Sequence, residues 1–529
     1  MLNRLADLVV AAPKAIVGVC LVLVIAAGVY GRDSASQLSP AGYEVGGSES
    51  TMALEVLADQ FDSGPANLVL LVATTEAGGV DGSATAAAGA DLAERLASFT
   101  DVGDVNSYWS TGAPELRSAT GDQALIAARI VASEEDVYDR AEEIRTEMSG
   151  TTGPLEVLVG GSAIANLEIV EESESDLLRA ELIAIPITTI IMLLVFRSVI
   201  AALLPLVVSA VAVIGTAAML KALSEVTLVS IFALNLTTAL GLGMGVDFSL
   251  FTISRWREER AGGADNETAL RTTIARAGRS ILFSGLTTAG TLAALLLFDY
   301  PLLRSLAIAG FAVVLLATLG ALLALPATMM LLGDRIDRFQ IRRSEPGPIE
   351  QGLWYRVANR VMARPRTTIV LVAGLLLLLG TPFLRAQFGI PDDRALPAGS
   401  EARQVADELR ADFDGSRFGA MAAVAPSYPQ AGPDNAELAE YAEAMSRVSG
   451  VAEVQTVTGV YRNGDEIGTS PIAARFVASD GVWVSIVPAL EPISEAAEAM
   501  VTELRELPAP AAFSIGGESA RLVDNKAEI

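Results

Sequence analysis

The sequence predicts a polytopic α-helical membrane protein with two extracytoplasmic α/β domains and an internal duplication. Three observations lead to this fold class: apolar runs long enough to cross a bilayer, arginines concentrated in two loops, and short motifs that recur at a nearly constant offset. Hydrophobic residues make up 51% of the 529-residue chain and are gathered into long runs. That composition and arrangement are typical of membrane proteins.

The apolar runs define the predicted transmembrane helices, because a helix needs about 20 apolar residues to cross the hydrocarbon core. Seven runs qualify, namely 15–31, 180–196, 199–220, 226–254, 281–298, 305–332 and 367–384. The first follows Arg4 and Lys14 and has no small-residue cleavage site near Gly31. We therefore interpret it as a retained anchor helix and not as a secretory signal.

Arginine placement predicts the topology, because positively charged residues favour the cytoplasmic side. Arginines concentrate between the fourth and fifth runs and between the sixth and seventh runs. Both loops are therefore expected in the cytoplasm, with a cytoplasmic N-terminus and both large polar segments outside. The predicted boundaries are 1–31 for the first transmembrane helix, 32–178 for the first extracytoplasmic domain, 179–334 for transmembrane helices 2–6, 335–365 for a cytoplasmic linker, 366–384 for transmembrane helix 7 and 385–529 for the second extracytoplasmic domain.

Each large polar segment alternates short β-rich runs with helical patterns, which predicts a split β-α-β sandwich of the porter type. In the first segment the predicted strands are 68–73, 125–131 and 155–159, and the helices are 90–99 and 134–148. In the second segment the same alternation occupies 418–425, 436–448, 451–457, 474–487, 493–507 and 512–515.

Short motifs repeat in the same order in both halves of the chain. Gly47-Ser48-Glu49-Ser50 recurs as Gly399-Ser400-Glu401-Ala402 after 352 positions, and each opens an amphipathic helix. Gly160-Gly161 recurs as Gly516-Gly517 after 356 positions. Gene duplication explains this order. Because the first copy continues into five spans whereas the second stops at Ile529, we expect a chain that lacks its C-terminal membrane half and ends before helix 8. A natural protein with seven spans is the alternative.

Composition argues against several classes of function. The net charge is −26 and the polar segments are acidic, which disfavours nucleic acid as a partner. With one cysteine, Cys20, and no histidine, the chain offers no pattern for a metal site or a cofactor. It also lacks a phosphate-binding loop, a Ser-His-Asp set and a Cys-His pair. We therefore predict that it is not an enzyme, and that any work it does is driven by an ion gradient.

Asp247 is the residue most indicative of function. It lies in GLGMGVDFSLF, within an apolar stretch that has no other charged residue. A carboxylate at bilayer depth is penalised by roughly 2.5 kcal/mol or more, and such groups usually mark proton or ion pathways. The alternative is a structural carboxyl group whose hydrogen bonds are supplied by neighbouring hydroxyls.

Small and hydroxylated residues surround Asp247 in the sequence. Gly241, Gly243 and Gly245 lie inside the same apolar run, and the four-residue spacing of the outer two predicts close packing against a neighbouring helix. We expect this packing to bury the Asp247 carboxyl group. Ser284 and Thr287 on the fifth run share a helix face and are the predicted hydrogen-bonding partners for that group.

The segments GLGMGVDFSLFTISRWREER and GRSILFSGLTTAG resemble signature segments of the MmpL-type lipid and drug exporters of actinobacteria, within the resistance-nodulation-division (RND) superfamily. The order of spans and outer domains resembles the same superfamily over nearly the whole chain. The resemblance implies two six-helix halves, in which aspartate–tyrosine pairs on the fourth and tenth helices relay protons. Asp247 matches that aspartate, whereas Phe248 stands in place of the family tyrosine and has no hydroxyl. The partner pair is expected beyond Ile529.

The resemblance implies a function as well as a fold. We expect export of lipids or hydrophobic compounds across the inner (plasma) membrane toward the cell envelope, driven by the proton gradient and without a cofactor. The implied partners are membrane lipids, the lipid substrate and accessory envelope proteins. A non-transporting scaffold or lipid sensor with the same fold is the alternative. A proton-driven secretion motor shares the architecture but is disfavoured by the signature segments.

Overall fold

The computed structural model of this protein describes residues 2–528 except 40, 41, 43, 44, 77, 133, 340–352, 386–390, 414–418, 429, 430, 471 and 479. The middle of the predicted linker 335–365 and the start of the predicted strand 418–425 therefore lie outside the described residues.

The helices are α1 (Leu2–Ala11), α2 (Pro13–Tyr30), α3 (Ser34–Gln37), α4 (Glu49–Phe61), α5 (Ser83–Ala97), α6 (Tyr108–Thr111), α7 (Glu134–Met148), α8 (Ser162–Phe196), α9 (Val199–Ser224), α10 (Phe232–Ala261), α11 (Asn266–Ala293), α12 (Pro301–Leu319), α13 (Leu325–Leu332), α14 (Leu353–Ala363), α15 (Pro365–Gly380), α16 (Glu401–Asp412), α17 (Ala436–Ser446), α18 (Glu495–Glu506) and α19 (Glu518–Glu528). The strands are β1 (Leu68–Thr74), β2 (Val102–Ser107), β3 (Gln123–Ile130), β4 (Gly150–Thr152), β5 (Leu155–Gly160), β6 (Met421–Ala425), β7 (Val451–Thr456), β8 (Gly459–Arg462), β9 (Asp465–Gly468), β10 (Val477–Ala478), β11 (Gly481–Pro488) and β12 (Ser514–Gly516).

Seven helical segments in the described part of the chain are long and apolar enough to cross a membrane, and they match the seven predicted runs. They are α2, α8, α9, α10, α11 with its extension to Leu297, α12 with α13 and its extension to Asp337, and α15 with its extension to Leu384. The prediction of a polytopic helical membrane protein is confirmed.

Helices α9, α10, α11 and α12 form the packed centre of the membrane part. Their shared core includes Val208, Phe248, Trp256, Ile281 and Val313. Helices α2 and α15 have no buried residues in the described structure. Helices α9–α13 therefore supply most of this core, and α2 and α15 supply none of its buried residues.

Two antiparallel sheets form the polar segments. The first has the strand order β2-β3-β1-β5-β4, and the second has the order β12-β6-β11-β7-β8-β9, with β10 beside β11. Four strands keep the same neighbours in both sheets: β2-β3-β1-β5 correspond to β7-β11-β6-β12. The sequence repeat predicts such a shared order. Strands β2 and β4 and the hairpin β8–β9 were not predicted.

The two polar segments exchange one helix with each other. Helix α4, from the first segment, packs on β12 and β6 of the second sheet, and α16, from the second segment, packs on β5 of the first sheet. A Cβ atom at Gly160 would lie 2.6 Å from Val405 Cβ, and one at Gly516 would lie 3.0 Å from Ala53 Cβ. The repeated glycines therefore let the exchanged helices approach the sheets closely. The two packing units are consequently not contiguous in sequence.

Carboxylates hold the N-termini of both exchanged helices in equivalent positions. Glu168 accepts hydrogen bonds from the backbone N–H groups of Glu401 and Ala402, each at 3.1 Å. Asp524 accepts one from the N–H of Ser50 at 2.9 Å. Negative charge at a helix N-terminus is favourable because it compensates the exposed N–H groups and the helix dipole.

The first residue of each exchanged helix completes these contacts. The Glu401 carboxylate accepts from Val159 N at 2.7 Å, and the Glu49 carboxylate accepts from Ile515 N at 2.9 Å. Burial raises the pKa of Asp524, but hydrogen bonds from Arg505 and Ser50 outweigh burial and hold it below its ordinary value. Asp524 therefore remains ionised in its contact with α4.

We expect Glu168→Ala to loosen α16 by about 2 kcal/mol, because one buried and one partly buried N–H group lose their acceptor. Hydrogen exchange of the first α16 amides in the full chain should become about thirtyfold faster. Glu171→Ala is the matched control: Glu171 lies on the same helix and binds Arg145 at 2.6 Å, but its side chain is 46% exposed. Exposed ion pairs contribute little, about 0–1 kcal/mol. Equal exchange rates in the two variants would contradict the role given to Glu168.

Candidate functional site

Asp247 lies on α10, with no other charged residue between Phe232 and Ser254. The helix forms there because leucine, alanine and methionine favour helix, and the apolar environment requires every backbone group to be bonded within the segment. Charged residues return at Arg255, eight residues further on, which corresponds to about 12 Å along the helix. Asp247 is thus well inside the apolar part of the span.

One face of α10 packs closely against α9 and α12. A Cβ atom at Gly241 would overlap a Val213 methyl group and lie 3.2 Å from a Val313 methyl group. At Gly245 it would lie 2.9 Å from the backbone nitrogen of Ser209. The predicted close packing is therefore present at Gly241 and Gly245.

Asp247 and Gly243 lie on the opposite face of α10. Both are exposed, and a Cβ atom at Gly243 would meet nothing within 4 Å. Successive helical residues are rotated by about 100°, so a residue two positions from Gly245 points away from the helix that Gly245 contacts. The prediction that this packing buries the Asp247 carboxyl group is wrong for the described structure, and Gly243 takes no part in the packing.

Phe248 points into the bundle and not toward the Asp247 face. Its side chain is 2% exposed and belongs to the core formed by α9, α10, α11 and α12. The benzyl group therefore contributes to packing, and the apolar substitution for tyrosine suits the buried position.

Ser284 and Thr287 on α11 are exposed and do not contact Asp247 through a hydrogen bond in the described residues. The Thr287 hydroxyl donates to the Phe283 carbonyl oxygen of its own helix at 2.8 Å. Hydroxyls in membrane helices commonly bond to the preceding turn in this way. The predicted hydrogen bonds from these two residues to a buried carboxyl group are not formed here.

Three buried hydroxyls at the centre of the bundle were missed by the sequence reasoning. Ser209 and Thr216 on α9 and Ser249 on α10 are buried, and their hydroxyl oxygens have no hydrogen-bond partner among the described residues. Their spacing could have revealed them, since Ser209 and Thr216 are seven residues apart and Ser249 follows Gly245 by four. Such spacings place residues on one helix face.

The described residues contain no group of three or more His, Cys, Asp or Glu side chains that could hold a metal ion. Asp247 presents one carboxyl group on the exposed face of α10, and a carboxyl group can bind and release a proton. The buried hydroxyls of Ser209, Thr216 and Ser249 can donate or accept hydrogen bonds.

Comparisons with known proteins identify relatives over most of the chain. The family model described as the MMPL family matches residues 44–368, which is more than half of the chain and includes α10 and α11. A putative membrane protein of Streptomyces coelicolor is 35% identical over 391 residues, covering 73% of this chain and 53% of that protein. The trehalose monomycolate exporter MmpL3 of Mycobacterium tuberculosis is 26% identical over 480 residues, covering 83% and 50%.

A third relative, the mycolic acid-containing lipids exporter MmpL11 of Mycolicibacterium smegmatis, is 26% identical over 385 residues, covering 70% of this chain and 39% of that protein. The chain spans about half the length of curated relatives that it matches. The matched part includes Asp247 and the glycine face beside it.

Proposed function

Because this chain belongs to the MMPL family, we propose that it takes part in exporting lipids or other hydrophobic compounds from the inner (plasma) membrane toward the cell envelope, driven by the proton gradient. Two of its relatives are named as exporters of trehalose monomycolate and of mycolic acid-containing lipids. These names support a lipid as the substrate class and membrane lipids as partners, and accessory envelope proteins are a further part of the proposal.

Asp247 is the proposed proton carrier. The observation that supports this role most strongly is its position: a lone carboxyl group on the exposed face of α10, far from the arginines at the helix end. A carboxylate in contact with lipid costs several kcal/mol. A second membrane surface that covers Gly243 and Asp247 would remove that cost and provide hydrogen-bonding groups for proton transfer. We propose that such a surface covers this face in the working transporter.

The remaining site residues have supporting parts in this proposal. Gly241 and Gly245 fix α10 against α9, so that Asp247 faces outward. Ser284 and Thr287 present hydroxyls on the exposed side of α11, where a proton pathway could use them. Phe248 has no ionisable group, so water or hydroxyls would take the part that the family gives to tyrosine.

The proposed topology follows from the charges. The arginine-bearing loops would be cytoplasmic, as would the N-terminus, and the segments 32–178 and 385–529 would be extracytoplasmic porter-like domains. The helix exchange between these segments would couple their movements, since neither sheet can shift without displacing a helix of the other segment.

A scaffold or lipid sensor without transport is the second candidate, and the apolar Phe248 favours it. The two functions differ in their need for energy. An exporter driven by protons stops when the gradient is removed, whereas a scaffold has no such requirement.

We would test the proposal in cells that lack their own exporter, by following labelled envelope lipids from the membrane to the cell surface. The expected result is lipid arrival that depends on this protein and ceases when a protonophore is added while ATP is kept constant. Arrival that continues in the protonophore would exclude the proton gradient as the driving force. If arrival never depends on the protein, the scaffold function would be favoured instead.

A further inference from the structure

An apolar groove runs between α11 and α12 and is closed at one end by α1. Its enclosed part has a volume of about 130 Å³ and is lined by Leu2, Leu5, Leu282, Leu286, Phe311 and Leu315, among others. The groove exists because Gly285 and Ala289 on α11 are small and α12 crosses there closely: a Cβ atom at Gly285 would overlap Thr318. Leu286, Phe311 and Leu315 are exposed, so the groove is open along its side.

The groove has the dimensions and chemistry of a hydrocarbon site. From Phe311 to Leu323 it follows α12 and the helical turn after it for about 18 Å, which is close to the thickness of one leaflet, about 15 Å. The Thr318 hydroxyl in its wall donates to the Val314 carbonyl oxygen at 2.7 Å. No polar group is therefore left in the wall for a polar ligand, and the occupant that fits is an acyl chain.

Positively charged residues lie near the end of the groove that α1 closes. Arg279 lies one helical turn before Leu282, and Arg4 lies between the two groove residues of α1. A Leu2 methyl group would be 3.7 Å from a Cβ atom at Gly278, which places the first turn of α1 beside the Arg279 turn of α11. Both arginine side chains are exposed.

Arg279 differs from the other arginines of the same loop. Five of them form ion pairs with acidic side chains, namely Arg255, Arg257, Arg260, Arg271 and Arg276. Within the described residues neither Arg279 nor Arg4 has such a pair. Arg279, one helical turn from the groove residue Leu282, thus has no acidic partner among the described residues at the end of a groove that suits an acyl chain.

We propose that this groove binds one acyl chain of an anionic phospholipid, and that Arg279 binds the phosphate. A guanidinium matches phosphate through two parallel hydrogen bonds, and basic pockets between membrane helices are known to bind anionic head groups. A lipid in this position contacts α1, α11 and α12 together. It therefore stabilises the docking of α1 on the bundle, as any ligand selective for the folded state does.

The test uses the full chain, purified in detergent and freed of lipid. Phosphatidylglycerol and phosphatidylcholine with identical chains are added separately, and retention is measured by native mass spectrometry together with the thermal unfolding midpoint. We expect phosphatidylglycerol to be retained preferentially and to raise the midpoint. Arg279→Gln should weaken phosphatidylglycerol retention about fivefold, the loss expected for one arginine at a membrane surface, and Arg279→Lys should restore most of it.

A second variant tests the groove itself. Leu286→Trp places a larger side chain in the groove and should lower retention of the lipid. Leu375→Trp on α15 is its matched control, since Leu286 is 58% and Leu375 56% exposed. Arg364→Gln serves as the control for the loss of one exposed arginine.

Three results would overturn the proposal. The first is equal retention of the two lipids, which would mean binding without head-group selection. The second is equal stabilisation by inorganic phosphate alone, which would mean an anion site without an acyl chain. The third is unchanged phosphatidylglycerol retention in both Arg279→Gln and Leu286→Trp. If Leu286→Trp fails to fold, the comparison of Arg279→Gln with Arg279→Lys still decides the head-group contact.

Discussion

Substitution of Asp247 by asparagine is expected to abolish proton-driven export while leaving the amount of folded protein unchanged. Asparagine has nearly the same shape but does not titrate, so it removes the only carboxyl group of α10 in the apolar region. Because Asp247 is exposed and makes no close packing contact in the described structure, little stability depends on it. Export should fall at least about a hundredfold if the carboxyl group carries the proton, an effect on the scale of general acid–base groups.

The measurement is the surface arrival of labelled envelope lipid, in cells lacking their own exporter, with the protein expressed from its complete reading frame. Protein abundance is matched by immunoblot. Asp299→Asn is the control, because Asp299 is also an exposed carboxylate and pairs with Arg304 at 2.9 Å outside the apolar region. Unchanged export by Asp247→Asn would make this carboxyl group structural and would shift support to the scaffold function.

Gly245→Ala is expected to reduce the folded protein sharply, whereas Gly243→Ala should not. A Cβ atom at Gly245 would lie 2.9 Å from the Ser209 nitrogen and 3.1 Å from its Cα atom. The Ser209 hydroxyl can rotate away, but the backbone of α9 cannot, so the two helices must separate. Overpacking of this kind costs about 3 kcal/mol.

Gly243 provides a close internal comparison, since it lies two residues away on the same helix and nothing surrounds it within 4 Å. Alanine there should be neutral or stabilising by about 0.5–1 kcal/mol, because alanine favours helix over glycine. The two variants can be compared by size-exclusion chromatography of detergent extracts and by their thermal unfolding midpoints. Similar thermal unfolding midpoints for the two variants would show that α9 and α10 pack less closely than in the described structure.

The sequence alone determined the features that depend on local composition. Seven apolar runs became seven membrane-length helices, because a long run of apolar residues has no other stable arrangement in a bilayer. The spacing of Gly241 and Gly245 predicted close helix packing, because residues four apart share a helix face. Strands such as β1 and β5 were evident from short runs of β-branched and apolar residues.

Strands with a mixed composition of polar and apolar residues were harder to predict from the sequence. Strand β2, whose sequence is Val102-Gly-Asp-Val-Asn-Ser107, contains glycine and acidic or amide residues that are typical of turns. Its place at the edge of the sheet beside β3 supplies the hydrogen bonds that its composition does not predict. The hairpin β8–β9, whose second strand is exposed, was missed for the same reason.

Only the tertiary structure decided which groups meet. The exchange of α4 and α16 between the sheets leaves no trace in the order of helices and strands, because an amphipathic helix indicates that one face is buried but not which sheet covers it. Likewise, the sequence placed Asp247 at membrane depth, but its side of α10 depended on where α9 and α12 pack. Composition and periodicity therefore determined the elements and their depth, whereas the contacts between distant segments determined that Asp247 faces outward and that each polar segment completes the other.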